Sequence, residues 1–227
     1  MEGALCDALS RDCALIETFF WSPETGVRDG AAHWARLRRS AVALGFPLED
    51  AALSAILESL GGVVPLRARL TLARDGALSL STAPFTPTQG PWRVGLSPER
   101  LEAEAHWLRH KTTDRGLYDR TRATLPRGLD EMLFLNERDE LCEGTITNVF
   151  LRFDHGPLHT PPLSSGCLPG VLRQRLLESG EARERVLPRQ ALLECEGLWV
   201  GNALRGLIPA VLAEDFERPL QGPLGAS

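Results

Sequence analysis

A segment rich in proline, serine and threonine, STAPFTPTQGP at residues 81–91, divides the apolar pattern of this chain into two parts. Clusters of these residues between periodic segments are typical of loops and linkers. The 227 residues suffice for one large domain or for two small ones, each with its own core. We therefore expect a small N-terminal domain at residues 1–86 and a larger C-terminal domain at residues 87–227.

The part before the linker mixes strands with helices. Apolar residues spaced by three and four predict one face of a helix, and β-prone apolar runs predict strands. One such helical face contains Trp34, Leu37, Ala41 and Leu44. In chain order we expect a strand at 14–21 that opens a hairpin, a helix within 30–46 that Gly45 ends, a helix at 48–60, and strands at 65–74 and 77–82 joined by the Asp75-Gly76 turn.

The part after the linker is richer in strands. Ser97 as a cap and Pro98 in the first turn predict a helix over SPERLEAEAHWL, and Asp114 is expected to cap a helix that runs to about Ala123. The other expected elements are strands at 92–96, 131–136, 141–153, 158–160, 198–202 and 207–212, and a helix between Pro169-Gly170 and Gly180. The pattern predicts an α/β (α+β) protein of two lobes with a cleft between them.

Charge and hydropathy disfavour nucleic-acid and membrane partners. The formal net charge is -5, and no basic run stands out. No apolar stretch approaches the length of a membrane span, and the N-terminal MEGALCDALS lacks the pattern of a signal peptide. We therefore expect a cytoplasmic protein that binds neither nucleic acid nor membrane.

The cysteines and histidines do not form a metal or disulfide pattern. The cysteines are odd in number, scattered and never spaced as CxxC: Cys6, Cys13, Cys142, Cys167 and Cys195. The five histidines are equally dispersed, and no HExxH is present. Reduced thiols and no bound metal are expected.

Common nucleotide and hydrolase signatures are also missing from the sequence. Neither GxGxxG nor GxxxxGK[ST] is present, which disfavours a dinucleotide-binding protein and a Walker NTPase. A GxSxG elbow is absent as well, which disfavours a serine hydrolase.

The chain has 24 arginines but a single lysine, Lys111. Arginine stays protonated in proteins, whereas burial or neighbouring cations can bring a lysine amine to its neutral, nucleophilic form. His110, Arg109 and Arg115 lie near Lys111 in sequence and would lower its pKa. The alternative, a lysine retained by chance on a solvated turn, is equally compatible with composition alone.

Three further segments have both a functional and an ordinary interpretation. Glu143, in LCEGTITN, is either a half-buried carboxylate that needs a partner or an exposed hairpin acid. The segments LPGVLR and NALRG offer free N–H groups suited to a phosphate ester, although ordinary helix starts and turns have the same pattern.

Six segments together resemble one family. They are IET, HWARLRRSAVALGFP, RHKTT, DEMLFLNERDELCEGTITNVF, TPPLSSGCLPGVLR and GNALRGLIP, in the family's order. The chain resembles the fold-type IV enzymes that use pyridoxal 5'-phosphate (PLP), and is most similar to the branch that contains 4-amino-4-deoxychorismate lyase. The resemblance implies a small N-terminal α+β domain, a larger C-terminal α/β domain with a barrel-like sheet, and a homodimer.

The resemblance also implies roles for the candidate residues. Lys111 would form the Schiff base with the PLP aldehyde and later carry the proton. Glu143 would pair with the pyridine nitrogen and keep it protonated. The phosphate would be held by Arg36 together with backbone amides of Val171, Leu172, Asn202 and Ala203.

Several positions depart from the family pattern. Leu172 stands where relatives often have threonine, and Ala203 where they often have serine or threonine, so two hydroxyl contacts to phosphate would be missing. Many aminotransferases of this fold have a tyrosine a few residues after the lysine. Tyr118 lies seven residues after Lys111, in a different register, and we expect it not to contact the cofactor.

The first strand is expected to line the substrate side through Thr18, Phe20 and Trp21, because this strand faces the cofactor in the family. Phe20 stands where lyase-like relatives often have arginine, a natural partner for a substrate carboxylate. Arg205 is a candidate for the missing cation.

The resemblance leaves three functions open for a small-molecule amino substrate. The favoured one is a lyase that converts 4-amino-4-deoxychorismate to 4-aminobenzoate and pyruvate, a step of folate biosynthesis. The alternatives are a branched-chain or D-amino acid aminotransferase and a non-catalytic PLP-binding protein.

Overall fold

The structure, a computed structural model, describes Ser10 and residues 12–213. Cys6 and nearly all of MEGALCDALS lie outside the described residues. Two β-sheets organise the rest of the chain, one of four strands and one of eight.

The smaller sheet is antiparallel and has two helices against one face. Its strands are β1 (Leu15–Ser22), β2 (Gly26–Val27), β3 (Leu66–Leu72) and β4 (Leu78–Pro84), in the order β2-β1-β3-β4. The helices are α1 (Gly30–Leu44) and α2 (Asp50–Glu58). Gly45 ends α1 in the left-handed conformation, as the sequence predicts. The expected hairpin, helices and strands of this part are confirmed, with β4 running into the segment predicted as a linker.

The alternation of side chains along β3 determines which of them face away from the core of the smaller sheet. Leu66, Ala68, Leu70 and Leu72 are buried toward the helices. Because successive side chains on a strand point to opposite faces, Arg67 and Arg69 lie on the other face. Their cross-strand partners on β1 are Phe20 and Thr18. The sheet therefore presents two arginines away from its own core.

The larger sheet is curled into a half-barrel and has the order β10-β9-β8-β11-β12-β5-β6-β7. Its strands are β5 (Trp92–Leu101), β6 (Glu131–Asn136), β7 (Leu141–Gly144), β8 (Asn148–Arg152), β9 (Leu158–Thr160), β10 (Ala182–Glu184), β11 (Gly197–Asn202) and β12 (Gly206–Leu212). The helices of this part are α3 (Gly116–Ala123), α4 (Val171–Glu178) and α5 (Ala191–Glu194). The mixed α/β architecture with a barrel-like sheet is thus confirmed, while β10 and α5 were not predicted.

The helix expected over residues 97–108 is wrong. Strand β5 continues to Leu101, pairs in parallel with β6, and is interrupted by an irregularity between Leu96 and Arg100. The Ser97 hydroxyl accepts the N–H of Glu99 at 3.2 Å inside this irregularity instead of capping a helix. Only one 3-10 turn, His106–Arg109, forms within the predicted span. Pairing with a distant strand overrides the local helical preference.

The cap predicted for the next helix is also wrong, although the helix itself is confirmed. Arg115 precedes α3 and makes no side-chain cap bond. The Asp114 carboxylate accepts the backbone N–H of Ser10 at 3.0 Å. Across the described part of the chain, no helix combines the length and apolarity needed to cross a bilayer.

Candidate active site

A cavity of about 340 Å³ is lined by residues from both sheets and from α1, α3 and α4. It brings together many of the residues singled out in the sequence, which are spread over the whole chain. Those that line it are Thr18, Arg36, Lys111, Glu143, Val171, Asn202, Ala203 and Arg205. Leu172, Phe20 and Trp21 are not among the lining residues.

Lys111 is held at the edge of the smaller sheet by its backbone. Its carbonyl accepts the N–H of Ile16 at 2.8 Å, and the N–H of Thr113 donates to Ala14 at 2.8 Å. These bonds add the lysine segment to the start of β1, so the side chain reaches the cavity from a fixed backbone position. Burial, together with the charges of Arg36 and Arg115, lowers the pKa of Lys111 from 10.5 to about 8.

Glu143 lies on β7 and is buried, with 6 % of its surface exposed. Of the two interpretations of this residue, the buried carboxylate is therefore the correct one. It accepts the Tyr118 hydroxyl at 2.7 Å and the N–H of Leu168 at 2.9 Å. Burial raises the pKa of Glu143 to about 7, although both hydrogen bonds favour the charged form.

Tyr118 lines the cavity, a position that its sequence register did not predict. It lies on α3, where its ring packs edge-on against Phe134 at 5.3 Å between centroids. Burial and the neighbouring Glu143 raise the pKa of its hydroxyl, so the group remains a donor to that carboxylate. The sequence signal that could have identified it is that it is the one tyrosine of the chain.

Arg36 is oriented by the buried carboxylate of Glu17, in the IET segment, a role that the sequence did not predict. Glu17 accepts Nε of Arg36 at 2.8 Å and Nη2 at 2.5 Å, and lies 2.6 Å from His33 Nδ1. Burial opposes ionisation of Glu17, but Arg36 and His33 overcome it and lower the pKa of the carboxyl to about 2. The guanidinium is thus locked in place, and its Nη1 reaches the Pro169 carbonyl at 3.3 Å, beside the start of α4.

The start of α4 lies close to β8. A Cβ on Gly170 would meet Asn148 Oδ1 at 1.9 Å, so only glycine fits there. The first N–H groups of a helix have no acceptor within the helix and can bind an anion. Leu172 contributes only its backbone to this helix start, because its side chain is buried with Phe150 and Leu176.

The turn after β11 is fixed by its own side chains. Asn202 Oδ1 accepts the N–H of Arg205 at 3.0 Å, and Asn202 Nδ2 donates to the Ile146 carbonyl at 3.0 Å. Ala203 lies inside this turn and lines the cavity without offering a hydroxyl. The turn, the start of α4 and Arg36 therefore meet at one cavity with N–H donors and a guanidinium.

Of the residues predicted on the first strand, Thr18 alone lines the cavity. Phe20 shares the face of Thr18, but its ring stacks edge-on against Phe85 at 5.0 Å, beneath the Arg28 guanidinium at 4.1 Å. Trp21 points to the opposite face, since its side chain alternates with that of Phe20. The structure does not bring Trp21 to the substrate side.

Four more arginines line the cavity, Arg67, Arg69, Arg115 and Arg122. The sequence pointed only to Arg115, as a neighbour of Lys111, and the other three were missed. Two of the four are paired, Arg115 with Asp119 at 2.7 Å and Arg122 with Glu131 at 3.7 Å. Within the described residues, Arg67, Arg69 and Arg205 form no ion pair. The alternation in LRARL, with leucine and alanine inward, could have identified the first two.

These arginines repel one another across the cavity. Burial and the charges of Arg122 and Arg67 lower the pKa of Arg205, and burial with Arg67 and Arg115 lowers that of Arg69. Glu131 partly offsets this repulsion at Arg205, and Asp119 does so at Arg69. A ligand with several negative charges would relieve the repulsion.

The donor set fits PLP. Arg36, the start of α4 and the Asn202-Ala203 turn suit a phosphate, and Lys111 provides an amine with a lowered pKa. Glu143 provides a buried carboxylate that can accept a protonated ring nitrogen. A buried amine, a buried carboxylate and an anion cradle in one half-barrel define a PLP enzyme of fold-type IV.

Comparison with known proteins agrees with this class. The family model of class IV aminotransferases matches residues 14–212, and the chain belongs to this family. The chain is therefore a PLP-dependent enzyme, and its resemblance to fold-type IV enzymes is confirmed.

Individual relatives carry two different activities in their names. A provisionally named amino-acid aminotransferase from Mesorhizobium loti, known from a crystal structure, is 43% identical in sequence and has a TM-score of 0.86. The match covers 89% of this chain and 100% of the Mesorhizobium loti chain. A provisionally named aminodeoxychorismate lyase of Schizosaccharomyces pombe is 28% identical over 83% of this chain and 88% of its own. The crystal structure of the 4-amino-4-deoxychorismate lyase of Pseudomonas aeruginosa is 23% identical in sequence and has a TM-score of 0.72. The match covers 90% of this chain and 84% of the lyase.

Proposed function

We propose that this enzyme is a lyase that converts 4-amino-4-deoxychorismate to 4-aminobenzoate and pyruvate, and thereby serves folate biosynthesis. The observation that carries the proposal is the excess of unpaired arginines in the cavity, namely Arg67, Arg69 and Arg205. The proposed substrate has two carboxylates, whereas a branched-chain amino acid, the amino donor of the alternative reaction, has one. The lyase name of the Schizosaccharomyces pombe relative agrees with this choice.

Lys111 is the proposed proton carrier. When bound, PLP withdraws electrons from the substrate carbon that bears the amine. The neutral amine of Lys111 would then take the proton from C4 of the substrate. The C3–O bond breaks, enolpyruvate leaves and gains a proton at its methylene carbon to become pyruvate, and the ring becomes aromatic. A pKa of about 8 keeps roughly a tenth of the amine neutral at pH 7, far more than an ordinary lysine provides.

Glu143 is the proposed partner of the cofactor ring, and Tyr118 is its support. The carboxylate must be charged to hold a protonated ring nitrogen, yet burial raises its pKa to about 7. The hydrogen bonds from Tyr118 and from the N–H of Leu168 favour the charged form. A protonated ring nitrogen opposite Glu143 would favour it further.

Arg36 is proposed to hold the phosphate with the backbone amides of Val171 and Leu172 and of the Asn202-Ala203 turn. Glu17 keeps the guanidinium in one orientation through two hydrogen bonds. Backbone donors and one oriented arginine would compensate for the two hydroxyl contacts to the phosphate that Leu172 and Ala203 cannot make. We also propose that the enzyme is a homodimer, as its resemblance to fold-type IV enzymes implies.

An aminotransferase is the second candidate, and the 43% identical relative from Mesorhizobium loti favours it. In that reaction Lys111 would return the proton to the cofactor side, and the cavity would accept an amino acid and a 2-oxo acid in turn. Membership of the class IV aminotransferase family identifies an enzyme and argues against the non-catalytic alternative.

Two measurements test the proposal. The protein is loaded with PLP, reduced with borohydride and digested, and mass spectrometry should find the label on Lys111, the single lysine. The loaded enzyme is then assayed for 4-aminobenzoate release from 4-amino-4-deoxychorismate, and for amino transfer from D-alanine or leucine to 2-oxoglutarate. Release without transfer supports the lyase, and transfer without release overturns it in favour of the aminotransferase. Lys111→Arg should abolish either activity, because arginine cannot lose the proton.

A further inference from the structure

A second, smaller cavity of about 180 Å³ adjoins the active site. Arg67 and Arg205 line both cavities, so the two guanidinium groups stand at the junction between them. The rest of its lining is Thr86 and four apolar residues, Ala83, Pro84, Phe85 and Leu204. A cavity that combines two cations with a few apolar side chains suits a short group that ends in a carboxylate.

The two arginines come from different sheets. Arg67 lies on β3 of the smaller sheet, and Arg205 follows β11 of the half-barrel. Each approaches the other closely enough for the charge of Arg67 to lower the pKa of Arg205, after the larger effect of burial. Neither forms an ion pair with any described residue, and the Arg205 guanidinium lies 5.9 Å from the centroid of the Trp92 ring. Glu131 attracts Arg205, but its ion pair is with Arg122 at 3.7 Å. Two close cations that lack an ion pair of their own form an anion site that spans both parts of the chain.

Arg67 lies opposite an aromatic residue of β1. Phe20 is the cross-strand partner of Arg67 and shares its face. Arg67 therefore places a cation at the same level of the sheet as Phe20. Phe20 itself packs on Phe85, which lines the smaller cavity. The aromatic pair therefore supports the wall, and Arg67 supplies the charge.

We infer that the smaller cavity is a substrate subsite in which Arg67 and Arg205 together bind the carboxylate of the enolpyruvyl arm. This inference rests on the proposed lyase function, since it concerns one arm of that substrate. The ring and its amine occupy the larger cavity beside Lys111, and the three-carbon arm enters the smaller one. Its methylene group faces Phe85 and Leu204, and its carboxylate faces the two guanidinium groups.

The test compares two non-reacting ligands on the PLP-loaded protein by isothermal titration calorimetry. Chorismate carries the enolpyruvyl arm and the ring carboxylate but no amine, whereas 4-aminobenzoate has the ring carboxylate and lacks the arm. Arg67→Gln and Arg205→Gln should each weaken chorismate binding by about tenfold, as expected when a charge-assisted hydrogen bond is lost, and change 4-aminobenzoate binding by less than about twofold.

Arg183→Gln is the matched control, because Arg183 is an exposed arginine on β10 outside both cavities. It should leave both affinities unchanged, and the cofactor absorbance of all three variants should match that of the wild type. Equal weakening of both ligands by the Arg67 and Arg205 variants, or no weakening of chorismate, would overturn the subsite. Failure of the wild-type protein to bind chorismate would overturn it as well.

These outcomes are separable from those for the proposed function. If the wild type releases 4-aminobenzoate from 4-amino-4-deoxychorismate but the two variants bind chorismate normally, the lyase stands and the subsite is wrong. If the wild type binds chorismate through both arginines but shows amino transfer without release, the anion subsite stands and the lyase is wrong.

Discussion

Replacing Lys111 by methionine should stabilise the cofactor-free protein at neutral pH while it abolishes activity. The folded protein lowers the pKa of this amine from 10.5 to about 8, mainly by burial and then through Arg36 and Arg115. Each pKa unit corresponds to about 1.4 kcal/mol, so the protonated amine opposes folding by at most about 3.5 kcal/mol. Part of the side chain is accessible to water, which reduces the expected gain to about 1–3 kcal/mol.

The sign of this effect fixes its pH dependence. A lysine whose pKa is lower in the folded state binds fewer protons there than in the unfolded chain between pH 8 and pH 10.5. Stability of the wild type therefore rises with pH across this window, relative to a variant without the amine. The advantage of Lys111→Met should be full below pH 8 and should shrink as the pH approaches 10.5.

Urea unfolding of the cofactor-free proteins at pH 7 and pH 10 measures this difference. Lys111→Arg is the control, because its guanidinium stays protonated at both pH values. This variant should therefore be less stable than the wild type at pH 10. An advantage of Lys111→Met that stays constant between the two pH values would refute the lowered pKa. So would a variant that is no more stable than the wild type at pH 7.

Three further predictions concern the same cavity. With ¹³C-labelled lysine, the single Lys111 should give one side-chain NMR signal that titrates near pH 8, and Glu143→Gln should move this pKa lower because an attractive negative charge is removed. Glu17→Gln should weaken PLP binding roughly tenfold, measured by absorbance titration, because Arg36 loses the charged acceptor that orients it; unchanged affinity would contradict that role. Tyr118→Phe should raise the pKa of Glu143 above its value of about 7, because a hydrogen bond to the charged form is lost. The acidic limb of the pH–rate profile should shift upward, and an unmoved limb would rule out the support proposed for Tyr118.

The elements that local patterns specify were predictable from the sequence. Gly45 ends α1 because its left-handed conformation follows an amphipathic run, and both features are visible in a single stretch. The strand over residues 97–101 was not predictable in this way. Its residues favour a helix, and they become a strand because Arg100 and Leu101 pair with β6, more than thirty positions along the chain.

The residues of the candidate site also differ in how far the sequence alone identifies them. Lys111 stands out by composition, since any other cation of the chain could be arginine. Glu17 carries no such signal, because a carboxylate on a strand has an ordinary interpretation until α1 brings Arg36 and His33 against it. Tyr118 belongs to a helix whose position relative to β7 depends on the packing of the half-barrel. Distances between elements, rather than residue types, decide these roles.

The charge balance of the cavity links stability to function. Seven cationic side chains line it: Arg36, Arg67, Arg69, Lys111, Arg115, Arg122 and Arg205. Ion pairs with Glu17, Asp119 and Glu131 offset three of them, and the remaining four face Glu143 and Asp114. A phosphate and two substrate carboxylates carry about four negative charges at neutral pH. The same arrangement that opposes folding of the cofactor-free chain therefore favours a cofactor and a substrate that are both anionic.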